Sequence, residues 1–283
     1  MNRRKFLKTT TILGTGLIIA PSVACTSDKL IGLQIYSVRQ AINLDLAGTL
    51  TRLAEMGYNS IEHAGYNDGK LYNLKPADFK SLIESLGMKL LSGHVGINPG
   101  SNKDTWEKII TDNAEAGLKY LVAPSIGSAH RDSQESLKNT TDAFNQIGEL
   151  CKKHGMKFGY HNHAFEFQEI EGKKMYDTLL DGTDPDLVTM EMDLYWTYRG
   201  NCDPLDYFNN YPGRFELWHV KDMEEGEEQF FAEVGHGIID FGEIFAASKK
   251  AGLVHYFVEQ DASRRDPMES VKMSVEYLKK SSF

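Results

Sequence analysis

Short runs rich in β-branched and aromatic residues return along this chain roughly every 30 residues, and each ends on or beside a polar side chain. They fall at 31–36, 60–63, 89–94, 120–123, 157–161, 188–193, 216–220 and 256–259. That interval is about the length of one βα unit. Helical periodicity fills the gaps. Leu46, Leu50, Leu53 and Ala54 precede Gly57, and Phe79, Leu82, Ile83 and Leu86 precede Gly87. A longer pattern from Leu137 to Cys151 stops near Gly155, and another from Phe241 to Ala251 stops at Gly252. Glycine just past the last periodic residue is the expected C-terminal stop of a helix. Eight strands alternating with helices predict a (β/α)8 TIM barrel. An open, doubly wound sheet would need a glycine-rich phosphate loop after its first strand, and Gln34-Ile35-Tyr36-Ser37-Val38-Arg39 contains no glycine. A length of 283 residues with no low-complexity linker suits one barrel domain over residues 30–283, after a short leader.

Residues 1–24 read as an address rather than as structure. Arg3-Arg4-Lys5-Phe6-Leu7-Lys8 resembles a twin-arginine signal peptide, and a mildly apolar stretch, 12–20, follows it. That stretch is shorter than the roughly 20 residues that span a bilayer, and no other segment is apolar enough to cross one. An exposed basic arm is the plainer alternative. Twin-arginine export carries proteins already folded, often with a metal or cofactor in place; that is what the resemblance implies. Ser22-Val23-Ala24 ahead of Cys25 resembles a lipoprotein cleavage box, with Ser22 where a leucine is usual. The expected location is the periplasm, or the membrane surface by a lipid anchor on Cys25. Lys and Arg number 31 and Asp and Glu 40, a formal net charge of −9; removing Arg3, Arg4, Lys5 and Lys8 with the leader makes it −13. So acidic a chain is a poor ligand for nucleic acid, whose phosphates need a basic patch. Three cysteines with no CxxC spacing exclude a disulfide framework and a cysteine zinc site.

Catalytic groups of a barrel project from the C-terminal ends of its strands. Tyr36, Glu62 or His63, His94, His161, Asp193, His219 and Glu259 stand at those ends. Charged groups half-buried at strand ends need partners, and several converging on one mouth need a shared cation or substrate. Met190-Glu191-Met192-Asp193 and Phe257-Val258-Glu259 bring a carboxylate to the end of a mostly apolar strand. Histidine with carboxylate is a ligand set for one divalent ion, zinc, manganese or cobalt, with magnesium less favoured by imidazole.

These residues sit in stretches that resemble the xylose-isomerase-like barrels of the sugar phosphate isomerase/epimerase family. The stretches are Tyr160-His161-Asn162-His163-Ala164-Phe165-Glu166-Phe167, Met192-Asp193-Leu194-Tyr195-Trp196, His219-Val220-Lys221-Asp222, Val234-Gly235-His236-Gly237-Ile238-Ile239-Asp240-Phe241 and Tyr256-Phe257-Val258-Glu259-Gln260-Asp261. The resemblance spans residues 30–283. It implies one divalent metal held by Glu, Asp, His and Glu from four successive strands. Asp193, His219 and Glu259 match the last three, and His161 stands where the epimerases have the first Glu. That Glu and the last are the paired acid and base of the epimerases, so the change puts a symmetrical two-base epimerisation in doubt. Inosose-dehydratase-like members, which eliminate water, are similar to this chain at the Tyr-His-x-His run.

A metal chelated by a sugar carbonyl and its neighbouring hydroxyl stabilises the enediolate left when the α-proton departs. The expected activity is therefore metal-dependent isomerisation or epimerisation of a small carbohydrate. Elimination from a keto-sugar or a 3-keto-glycoside is the alternative, and a non-catalytic sugar-binding protein is the reading of another class. The expected metal ligands are His161, Asp193, His219 and Glu259, with His163 and His161 interchangeable as the first. Glu259, His163 and Lys221 are the expected acid, base and oxyanion-holding groups. Glu62, His94, Asn162, Glu166 and Trp196 are the expected sugar contacts. Each has a plainer structural reading: a packed histidine, a salt-bridge partner, a surface lysine or a loop acid.

Overall fold

Every run marked by the recurrence is a stave of one closed, all-parallel barrel. The computed structural model describes residues 30–283, so the leader and Cys25 lie outside the described residues. The staves are β1 (Gly32–Gln34), β2 (Ser60–His63), β3 (Lys89–His94), β4 (Tyr120–Ala123), β5 (Lys157–His161), β6 (Val188–Asp193), β7 (Leu217–Val220) and β8 (His255–Val258). They pair in sequence order, and β8 closes on β1 with Gly32 opposite Phe257 and Leu33 opposite Val258. The outer helices are α1 (Leu46–Met56), α2 (Pro76–Ser85), α3 (Lys103–Glu115), α4 (Gln134–Lys153), α5 (Met175–Gly182), α6 (Pro204–Asn210), α7 (Phe241–Ala246) and α8 (Pro267–Lys280). Gly57 ends α1 at φ 105°, in the left-handed region where a side chain is disfavoured.

Side chains alternate along each stave between two apolar environments. One set, including Leu33, Ile61, Phe158, Val188 and Trp218, packs outward beneath the helices. A smaller set inside the barrel, Leu91, Tyr120, Val122, Leu217 and Phe257, forms a floor. Gly32 has to be glycine because a Cβ there would lie 2.4 Å from the Phe257 ring. In β3 the pairing with β2 slips between Ile61 and Glu62, where Leu91 is extra. This bulge keeps Ser92 and His94 on the inner face after Leu91. Above the floor the interior turns polar, and that is where the site lies.

Three short hairpins decorate the loops after β2, β5 and β7: Tyr66–Asn67 with Lys70–Leu71, Glu169–Ile170 with Lys173–Lys174, and Asp222–Met223 with Phe231–Ala232. Among the described residues no helix is long and apolar enough to cross a membrane.

Candidate metal centre

Four consecutive staves each send two side chains inward at positions i and i+2. These are His161 and His163 from β5, Glu191 and Asp193 from β6, His219 and Lys221 from β7, and Glu259 and Asp261 from the end of β8. Period-two alternation is the cause: it turns both members of each pair to the barrel interior, one above the other. The rim opens into a cavity of about 510 Å³ whose lining includes Tyr36, Tyr66, His94, His161, His163, Trp196, Lys221, Glu259 and Asp261.

One ligand atom from each of His161, Asp193, His219 and Glu259 falls within 4.8 Å of the others, and all four residues are buried. Asp193 Oδ2 lies 3.9 Å from both His161 Nε2 and His219 Nδ1, and Glu259 Oε2 is 2.7 Å from His219 Nδ1. The ammonium of Lys221 leans on the same group, 2.9 Å from Asp193 Oδ2, 2.6 Å from Glu259 Oε2 and 3.0 Å from Asp261 Oδ2. Asp193 Oδ2 nonetheless has no hydrogen bond of sound geometry, although it is fully buried. A buried carboxylate oxygen held only by an ion pair with Lys221, and facing two imidazoles and a second carboxylate, belongs to the kind of donor set a divalent cation takes. The four residues fit such an ion.

A second level lies beneath. Glu62 accepts from Gln34 Nε2 at 2.9 Å and from Ser92 Oγ at 2.6 Å, and it sits 2.6 Å from His219 Nε2. Glu191 Oε2 is 2.6 Å from His94 Nε2, 3.2 Å from His219 Nε2 and 3.4 Å from His161 Nδ1. Carboxylates behind the far nitrogens of metal-ligating histidines fix their tautomer and ring orientation.

Of the expected sugar contacts, His94 and Trp196 line the cavity. Three others, Glu62, Asn162 and Glu166, do not line it. Glu62 is buried below the mouth, its oxygens taken by Gln34, Ser92 and His219. Asn162 follows the opposite strand parity from His161 and His163, and its Oδ1 accepts the Asp193 N–H at 3.1 Å. Glu166 turns away from the mouth, accepting from Tyr160 Oη at 2.5 Å and from the His163 N–H at 2.8 Å. Two residues were missed, Glu191 and Asp261. Both lie two positions from an expected ligand, a parity signal the sequence carried.

The charges follow the neighbours. Burial raises the Glu259 pKa, but Lys221 and His219 outweigh it and hold the carboxyl well below its usual range. Burial lifts Asp193 to about 6 against the pull of Lys221 and His219. Burial together with the Glu62 charge lifts Glu191 to about 7. Burial and the Lys221 ammonium push the His163 imidazole down to about 4, so it is neutral at physiological pH. The Lys221 pKa, lowered by burial, is raised far more by Asp193, Glu259 and Asp261.

Residues 50–281 match the family model of the xylose isomerase-like TIM barrel. The chain belongs to this family. This xylose isomerase-like barrel is 26% identical over 268 residues to an inosose dehydratase of Geobacillus kaustophilus strain HTA426, covering 81% of this chain and 85% of that one. A solved sugar phosphate isomerase/epimerase from Parabacteroides distasonis ATCC 8503 superposes with a TM-score of 0.80 at 30% identity, over 92% of this barrel and 96% of its own chain. The IolI protein, solved with a zinc atom, shares the fold at 15% identity and a TM-score of 0.70, over 88% of this barrel and 96% of its own.

Proposed function

We propose that the chain is a metal-dependent lyase that removes a proton beside the carbonyl of a keto-sugar and expels the β-substituent. One observation carries the choice of elimination over a symmetrical epimerisation: Glu259 is clamped between Lys221 Nζ at 2.6 Å and His219 Nδ1 at 2.7 Å. A carboxylate held ionised in that way is a good ligand and a weak base. The partner carboxylate of a two-base reaction is replaced by His161. What is left at the rim is unsymmetrical, a neutral imidazole on β5 and an ammonium on β7.

The ligands would be His161, Asp193, His219 and Glu259. Two imidazoles with two carboxylates suit manganese, zinc or cobalt better than magnesium. When bound, such an ion polarises a carbonyl and spreads the negative charge left by proton loss. His163, which lines the cavity and is held neutral, takes the α-proton as a base. The Lys221 ammonium holds the departing oxygen by a hydrogen bond and the imidazolium of His163 returns its proton to that oxygen, so the C–H and C–O bonds break and a C=C bond forms with charge balanced. Asp261 fixes the ammonium through both oxygens, at 3.1 and 3.0 Å. Trp196 and Tyr36 supply apolar faces on which a sugar ring can stack. The similarity to an inosose dehydratase over most of both chains supports this reading.

Isomerisation or epimerisation is the second reading, favoured by the similarity to the Parabacteroides isomerase/epimerase. Incubating metal-loaded protein with keto-sugars and their glycosides in heavy water separates the two. Release of water or aglycone with an enone product is the expected outcome. Deuterium uptake with every C–O bond intact would replace the lyase by the isomerase. Indifference to chelator, with sugar still bound, would leave only a binding protein.

A further inference from the structure

We propose a second cation position inside the barrel, one level beneath the mouth, formed by His94 Nε2, His161 Nδ1, His219 Nε2 and Glu191 Oε2. Four donors from these residues lie within 4.8 Å of one another. The three imidazole nitrogens surround Glu191 Oε2 at 2.6, 3.4 and 3.2 Å, for His94, His161 and His219 respectively. Two buried atoms in this group, His161 Nδ1 and Glu191 Oε1, have no hydrogen-bond partner. Leaving such atoms unsatisfied away from water is costly, and an ion at this position removes the cost for His161 Nδ1, which is one of its four donors. Glu62 Oε2, 2.6 Å from His219 Nε2 and 3.5 Å from His94 Nε2, adds a second negative charge beside the group. It is held there by Gln34 and Ser92, and the apolar interior set that includes Leu91, Leu217 and Phe257 packs inside the same barrel.

The inner and outer positions share His161 and His219 through opposite ring nitrogens. His161 Nε2 and His219 Nδ1 face Asp193, while His161 Nδ1 and His219 Nε2 face Glu191. A neutral imidazole has one lone pair and one N–H. One ion can therefore occupy either position but not both, and changing position requires both rings to exchange tautomer. The donor sets differ in kind. Three imidazoles and a carboxylate favour zinc, and two carboxylates with two imidazoles are kinder to manganese. The inner position thus takes zinc and the outer one manganese.

The test reads metal content and position, so it stands apart from whether the lyase reaction is correct. Metal-stripped protein is loaded with zinc or manganese, counted by atomic emission, and located by anomalous diffraction. Wild type is expected to hold about one ion per chain, zinc beside Glu191 and manganese beside Asp193. D193N/E259Q should lose manganese while its zinc affinity falls less than tenfold. H94Q/E191Q should lose at least tenfold in zinc affinity and keep manganese. A zinc peak beside Asp193 alone in wild type would overturn the proposal. So would a folded D193N/E259Q protein, checked by circular dichroism, that binds no zinc. Should that variant not fold, the wild-type zinc map decides by itself.

Discussion

His163 and Glu259 face the same cavity yet carry opposite chemistry, because burial keeps the first neutral while Lys221 and His219 hold the second ionised. Neutral at pH 7, the His163 imidazole is available to accept a proton. His163→Asn should lower kcat by about 10²–10⁴, the usual worth of a positioned general base, and leave the bound metal unchanged by atomic emission. Glu259→Gln should instead release manganese and abolish turnover of the manganese-loaded protein with an unchanged circular dichroism spectrum. If the His163 variant turned over at the wild-type rate, the base would have to be sought elsewhere. Glu166 makes a separate prediction about stability. Burial raises its pKa from 4.5 to about 7 against the hydrogen bonds from Tyr160 and the His163 backbone. Between those values the folded chain binds a proton that the unfolded chain releases, so this residue's contribution to stability falls as pH rises from about 4.5 through about 7 and is flat below. At about 1.4 kcal/mol per pKa unit the swing reaches about 3 kcal/mol at most. Urea unfolding of Glu166→Gln at pH 5 and pH 7.5 should show a smaller loss of stability across that interval than wild type does. Equal losses in the two proteins would mean that Glu166 stays ionised in the fold.

The loop after β7 is organised by a single carboxylate next to Lys221. Asp222 accepts the backbone N–H groups of Met223, Gly235, Gly237 and Ile239 at 2.8–3.1 Å. Gly237 fits against it only without a side chain, since a Cβ would lie 2.2 Å from the Met223 carbonyl oxygen. The same loop carries Phe231, which stacks on Tyr195 at 4.5 Å and meets Trp196 edge-on at 5.8 Å. Asp222→Ala should therefore loosen the wall of the mouth, at a cost on the order of 3 kcal/mol for the stranded N–H groups. Limited proteolysis should nick residues 224–238 sooner, and KM should rise more than kcat falls; an unchanged cleavage pattern would separate the loop from Asp222. Such loop architecture was not legible in the sequence, because two-residue hairpin strands carry no periodicity. The staves were legible, since each must fill an apolar layer on one face, and the observed strands fall where the recurrence placed them. What the alternation could not give was the bulge at Leu91, which comes from packing against β2. Nor could it give the depth of a side chain: Glu62 reads like a rim residue, but β2 ends one level too low to bring it to the mouth.

Seen as a whole, the molecule is acidic, with a formal net charge of −9, and its mouth shares that character. Lys221 is the one lysine or arginine among the described residues that line the cavity, and its ammonium is already shared by Asp193, Glu259 and Asp261. Arg39, beside the rim, gives its guanidinium to the carbonyls of Tyr36 and Asp261 and lies over the Tyr36 ring. A phosphate ester meets no unengaged lysine or arginine here, and at about 4 Å each carboxylate in excess of the single Lys221 ammonium repels a unit negative charge by about 4 kcal/mol at an effective dielectric near 20. The walls it would meet are Tyr36, Tyr66 and Trp196, which suit an uncharged ring. This distinguishes the substrate expected here from the one in the name of the Parabacteroides structure. A keto-sugar should bind at least about tenfold more tightly than its 6-phosphate, a difference of about 1.4 kcal/mol. Calorimetric titration of manganese-loaded protein with both compounds measures it. Because the rim is open to solvent, the gap should narrow as salt is raised and the repulsion is screened. Tighter binding of the phosphate, weakening with salt, would mean that Arg39 or the metal itself takes the phosphoryl group, and the uncharged-substrate reading would fall.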